Sequence, residues 1–146
     1  MNKMKTNIKS QKEKSLSPTQ YNEIIEGLQL EKMFLKSCKA KCFSSEITDN
    51  NIVKVGTNAE FESYENKKFS ITSSYTITAK SNKKNLFKIE LEYYLLFHSK
   101  NPVDERFFDI YSKRNLRLNT FPLVREIVQS FSGRMGFPPL VLPLLK

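Results

Sequence analysis

Between residues 69 and 97 the chain alternates apolar and polar side chains with a period of two. Phe69, Ile71, Tyr75, Ile77 and Ala79 share one phase with Ser73, while Ser70, Thr72, Ser74, Thr76 and Thr78 hold the other. Such alternation predicts an antiparallel strand with one face buried and one in water. Phe87, Ile89, Leu91, Tyr93, Leu95 and Phe97 repeat the pattern on the return, and Ser81-Asn82-Lys83-Lys84-Asn85 supplies a hairpin loop between them. The second face of the returning strand begins charged, at Lys88, Glu90 and Glu92, and ends apolar, at Tyr94 and Leu96. Its far end is therefore expected to meet another surface.

The flanks are less regular. Between Leu28 and Cys42 the alternation changes phase at Met33-Phe34-Leu35, which predicts a strand with a bulge or kink. Thr48-Asp49-Asn50-Asn51 reads as a loop, and Ile52–Val55 with Glu60–Tyr64 as a weaker extended region. Ser17-Pro18-Thr19-Gln20 starts a short helix whose Tyr21, Ile24, Ile25 and Leu28 share a face and which Gly27 closes. Asn101-Pro102-Val103-Asp104-Glu105 starts a second helix, dense in aromatics at Phe107, Phe108 and Tyr111, and Lys113–Asn119 links it onward. A third begins at Thr120-Phe121-Pro122, because proline suits a first helical turn, where its missing N–H removes no bond. Its stripe is Val124, Ile127, Val128, Phe131 and Met135; Gly133, Gly136 and Pro138-Pro139 end it. Strands followed by helices predict an α+β domain with helices on one face of an antiparallel sheet. Phe69, Ile71, Tyr75, Ile77, Ile89, Leu91, Tyr93 and Phe131 are the expected core.

The 146 residues suit one domain, spanning 17–146, after a flexible basic tail over 1–16. Residues 1–14 carry five lysines against one glutamate, a net of +4 out of the chain's +9. No apolar run approaches the ~20 residues of a membrane span or the ~7–15 of a secretory signal core, so the expected location is the cytosol. Cys38 and Cys42, four apart on a strand, stand about 13 Å from one another, beyond disulfide reach. No Gly-rich phosphate loop, HExxH or paired CxxC occurs, and His98, the lone histidine, has no nucleophile beside it. Neither catalysis nor a metal or other cofactor is expected.

The most specific string lies near the C-terminus. Phe121-Pro122-Leu123-Val124-Arg125-Glu126 is followed by Phe137-Pro138-Pro139-Leu140-Val141-Leu142. It resembles the C-terminal signature of the SecB family of protein-export chaperones, carried by Phe121, Pro122, Arg125, Glu126, Phe137, Pro138, Leu140 and Leu142. The resemblance extends loosely from Leu28 to Pro143. It implies a four-stranded antiparallel sheet with helices on one side, assembly as a dimer of dimers, and nucleotide-free holding of unfolded or preprotein polypeptides.

The resemblance places client grooves between the sheet, the loop crossing it and the Phe121-Pro122 helix. The candidates in this chain are Phe61, Tyr64, Tyr94, Leu96, Phe107, Phe108, Tyr111, Val124 and Val128. It assigns Lys88, Glu90 and Glu92 to the sheet face on which acidic relatives dock the basic tail of the secretion motor. Here the chain is basic, Lys88 stands beside Glu90, and the sequence stops at Leu144-Leu145-Lys146 without the family's last helix and tail. Both departures weigh against motor docking, and a SecB-like chaperone with a dedicated client, such as the antitoxin of a toxin–antitoxin pair, fits them at least as well. Two alternatives remain open from the residues. One is a polyanion- or nucleic-acid-binding domain using the tail with Lys36, Lys39, Lys41, Lys67, Lys68, Lys83, Lys84, Arg114 and Arg117. The other is a protein-interaction adaptor on the same fold.

Overall fold

The computed structural model describes residues 15–65 and 67–143. The basic stretch 1–14 and residues 144–146 lie outside the described residues. Helix α1 (Pro18–Glu26) leads into strands β1 (Leu28–Cys42), β2 (Asn51–Tyr64), β3 (Lys68–Ser81) and β4 (Lys84–Ser99), followed by helices α2 (Glu105–Lys113) and α3 (Asn115–Arg134). The strands form one antiparallel sheet in the order β1-β4-β3-β2. The α+β architecture expected from the sequence is therefore present.

The central hairpin follows from its alternation. Phe69, Ile71, Ile77, Ile89 and Leu95 are fully buried on one face, beneath the helices. The turn is tighter than expected: Asn82 and Lys83 alone form it, both with positive φ (49° and 68°), as two-residue hairpins of right-twisted strands require. Leu86 is an extra residue opposite the Ala79/Lys80 step. Its carbonyl accepts from the Phe43 and Ser44 N–H groups at 2.7 and 3.3 Å, anchoring the loop that carries the chain from β1 past the hairpin end to β2. Thr48 N–H, donating to the Ser81 hydroxyl at 2.7 Å, secures the loop farther on. The phase change in β1 is real and doubled, with register shifts at Leu30/Lys32 and Leu35/Ser37.

Helix α1 starts as expected. Ser17 caps it by accepting from Gln20 N–H, and the Gln20 side chain returns the bond to Ser17 N–H. Leu16, assigned to the tail from the sequence, is instead buried with the core. Asp104 caps α2, its carboxylate accepting from the Arg106 backbone at 2.9 Å and pairing with the Arg106 guanidinium. Burial pushes the Asp104 carboxyl up, but the Arg106 hydrogen bonds and charge outweigh it and hold the group below its ordinary value.

The start of α3 differs from expectation. Residues 115–119, read as a link, are helical, and Pro122 sits inside the helix rather than in its first turn. The reason is geometric. Pro122 and Leu118, the residue whose carbonyl would receive the missing N–H, both lie on the solvent side, where water can satisfy the freed carbonyl. The buried face consequently runs Leu116, Thr120, Val124, Val128 and Ser132. Phe131 and Ile127, expected in the core stripe, are only half-buried at its margin.

Past the helix, Gly136 (φ 86°) makes the left-handed step that turns the chain back, and Phe137 N–H donates to the Ser132 carbonyl at 3.1 Å. Arg125 then donates to the Leu142 carbonyl at 2.7 Å, Leu140 N–H donates to the Ser132 hydroxyl at 2.8 Å, and Phe137 packs on Phe87. Most of the Phe-Pro string is thus a clamp that straps the last segment along α3.

Thr120 donates its hydroxyl hydrogen to the Leu116 carbonyl at 2.8 Å, so in the 2.6 Å bond with Tyr75 it is the phenol that donates. Both side chains are buried at the α3–β3 contact. Thr120→Val is expected to leave the phenol without its partner and to cost about 1–3 kcal/mol in chemical unfolding. Combining it with Tyr75→Phe should recover part of that loss.

Candidate functional site

Three helices do not cover a sheet of this width. On the helix-bearing face the outer strands keep apolar side chains in contact with solvent. Val53 and Val55 on β2 are 39% and 40% exposed, and Leu30 and Leu35 on β1 are 46% and 42% exposed; in the crossing loop Phe43 and Ile47 are exposed too, Phe43 beside the Lys41 ammonium of the other face. The register places Val53, Val55, Thr57, Ala59 and Phe61 in one line, since each pairs with a β3 residue of the buried phase.

That line runs into a cleft of about 200 Å³ between β2 and the α2–α3 corner. Ala59, Tyr75, Phe108 and Leu116 line it, and Lys113 and Arg117 stand among its walls, the latter donating to the Thr57 hydroxyl at 3.3 Å. Phe61 stacks on Phe108 at 5.1 Å, closing the far end. An apolar furrow leading to a cleft with cationic walls can take extended polypeptide, with side chains inserted and backbone offered to the free edge of β2.

The residues expected to form one groove are distributed over three environments. Phe61 and Phe108 line the furrow, half-buried. Phe107, Tyr111, Val124 and Val128 are core: each is at most 2% exposed. Phe107 stacks on Tyr21 and Tyr111, and burial pushes the Tyr111 phenol up to about 12. These four project from α2 and α3 onto the sheet, so the helices themselves occlude them. Tyr64, Tyr94 and Leu96 lie on the opposite, helix-free face. There Tyr94 packs on Phe34 at 5.1 Å, with the Lys32 ammonium 5.4 Å from the Phe34 ring centre, and the Tyr64 hydroxyl bonds Ser70.

Lys88, Glu90 and Glu92 also share that helix-free face. Lys88 pairs with Glu90 at 2.9 Å; this hydrogen bond and charge, with Lys39 nearby, hold the Glu90 carboxyl below its ordinary value. Glu92 accepts from the Ser37 hydroxyl at 3.2 Å. Among the described residues no group of acids, histidine and thiols is arranged for a metal, and no described helix is long and apolar enough to cross a membrane. Cys38 and Cys42 are free thiols.

Sequence reasoning missed Val53 and Val55. The only signal was the Ile52-Val53-Lys54-Val55 run, whose apolar residues fall on both faces and so suggested no direction.

A family profile described as preprotein translocase subunit SecB matches residues 22–145. The Mycobacterium tuberculosis SecB-like chaperone Rv1957, solved in complex with a ChAD peptide from the Rv1956 HigA1 antitoxin, superposes with a TM-score of 0.74 at 18% identity, over 84% of this chain and 93% of that one. A protein of unknown function from Streptococcus agalactiae aligns with a TM-score of 0.47 at 14% identity, over 80% of this chain and 97% of that one. No curated protein sequence matches significantly.

Val53→Thr combined with Val55→Thr keeps β-branched side chains on the edge strand while making the furrow polar. An environment-sensitive apolar dye is expected to bind the unaltered chain and to lose more than half its fluorescence with this variant. Because both positions are exposed, unfolding free energy should change by only about 0.5 kcal/mol per site.

Proposed function

This chain belongs to the SecB family, and on that premise we propose that it is an ATP-independent chaperone that holds unfolded or nascent polypeptides. SecB chaperones are not enzymes, and neither is this chain. The observation that carries the proposal is the apolar furrow along β2, open to solvent and ending in the Phe108–Leu116 cleft.

The physical logic is mass action. A surface that accepts extended, apolar chain segments binds the unfolded state and not the folded one, and so withholds the client from folding and aggregation. Furrow side chains supply sequence-tolerant burial, and the unpaired N–H and C=O groups of the β2 edge supply backbone bonds. No nucleotide is required, because release follows from the client's own folding or transfer.

One furrow is small. Assembly as a dimer of dimers, which the family resemblance implies, lets one long client occupy several furrows and gain avidity without new contacts. The client is either a preprotein or a dedicated partner such as an antitoxin. The solved complex of Rv1957 with an antitoxin peptide supports the second by fold likeness. The cytosol is the compartment in which either would be met.

A chemically unfolded client diluted into buffer tests this. Light scattering should fall by more than half at one protein tetramer per client, equally with and without ATP, and still at roughly 0.3 M salt, where exposed charge pairs are screened. The Val53→Thr/Val55→Thr variant should hold less well. Scattering unchanged by the unaltered chain would overturn the reading. A solution mass four times that of the 17.0 kDa chain is expected alongside.

A further inference from the structure

The helix-free face carries an arrangement that holding clients in the furrow does not use. One row of facing residues crosses all four strands and reads Lys41, Lys88, Thr78, Lys54, each the direct partner of the next. Lys39, next on the same face of β1, and Lys80, two residues beyond Thr78, flank the row. Strands lie about 4.8 Å apart, so the row is about 14 Å long. Like charges directly opposite each other on a sheet are unfavourable. Lys41 and Lys88 are such a pair, and no helix or loop supplies Lys41 with a counter-ion among the described contacts. The one carboxylate bridging into the row, Glu90, is already committed to Lys88.

A local conflict of this kind, in a sheet where no other described row on this face sets two like charges directly opposite each other, is expected where charge serves recognition. We propose that this row docks an acidic, extended polypeptide segment, laid across the strands. The dimensions agree. Alternate carboxylates of an extended chain, at positions i, i+2 and i+4, span about 13 Å at ~3.3 Å per residue, close to the Lys41–Lys54 distance. Thr78, between Lys88 and Lys54, offers a hydroxyl to the passing carboxylates or backbone. The partner is thus the opposite in charge of a basic tail, and it uses the face of the sheet away from the furrow.

A nucleic acid fits less well. Glu90 and Glu92 follow Lys88 along β4 on this same face, so on β4 the basic surface stops at Lys88 and does not continue along the strand. The Phe34–Tyr94 pair lies three rows away, and the Phe43 ring beside Lys41 is already covered by that ammonium, 5.4 Å from the ring centre, so no run of stacking aromatics follows the row.

The test uses the full chain and a fluorescein-labelled twelve-residue peptide alternating Glu with Ser, read by anisotropy at low and moderate salt, with a twelve-nucleotide oligothymidylate as comparator. Lys41→Glu with Lys54→Glu is expected to weaken peptide binding at least tenfold. Lys67→Glu with Lys100→Glu, an equal charge change at the opposite end of the sheet, should weaken it less than threefold. Melting temperature should not fall with Lys41→Glu, which places a carboxylate opposite Lys88, and aggregation suppression should survive in both variants. Equal weakening by the two double variants would assign binding to net charge and overturn the proposal. So would an affinity untouched by the first variant, which would place binding on the basic stretch 1–14. Tighter binding of the oligonucleotide, with the same sensitivity to Lys41 and Lys54, would replace the acidic peptide with a phosphate chain.

Discussion

The molecule depends on a mismatch of widths. Only β3 and β4 are buried on one face, and the helix over them, α3, is a single cylinder about 30 Å long and 10 Å across. A four-stranded sheet is about 14 Å between its outer strand axes, before side chains are counted. One long helix with two short ones seals the centre and cannot seal the edges. Every apolar residue that β1 and β2 direct to the helix side therefore stays half in water. In an ordinary domain this would be an aggregation hazard. On the function proposed above, it is the working surface.

The centre was legible because its code is simple. A period of two over eleven residues admits one structure, and Phe69 through Phe97 read as a half-buried hairpin without ambiguity. The doubled bulge in β1 also left its trace as a phase change at Met33-Phe34-Leu35. Pro122 misled because proline has two tolerable places, the first turn and the wet side of a longer helix, and sequence does not record which side is wet. The aromatics of α2 misled for a related reason. Phe107, Phe108 and Tyr111 are equally apolar, yet only Phe108 projects toward the open edge, and a rotation of one residue about the helix axis decides which one a client could touch. The furrow on β2 was the least legible feature, because an extended edge strand with weak alternation does not tell which face is apolar until its neighbour β3 supplies the phase.

The Phe-Pro string is the most recognisable part of the chain and does little that a client would notice. Arg125 holds the Leu142 carbonyl, Phe137 fills the space beside Phe87, and Phe121 packs near Tyr75, while Glu126 stays exposed. These contacts fix how the last segment lies against α3 and hence how tightly the helix sits on the sheet. Such a string marks membership because it specifies the architecture that leaves a furrow open. The residues inside the furrow, Val53 and Val55 among them, are interchangeable apolar groups and leave no comparable mark.

The crossing loop has a consequence for how the chain is made. β1 and β2 are neighbours in sequence but opposite borders of the sheet, and among the described strands β1 pairs only with β4, with pairings that reach from Leu28 to Ser99, 71 residues downstream. At ribosomal speeds of roughly 5–20 residues per second, β1 waits several seconds for β4 to emerge. The β3–β4 hairpin, closed by a two-residue turn, is free to zip first and then recruit the older strands to its flanks. During its own synthesis the chain thus carries two unpaired strands, whose backbone edges and apolar side chains stay open until the hairpin forms.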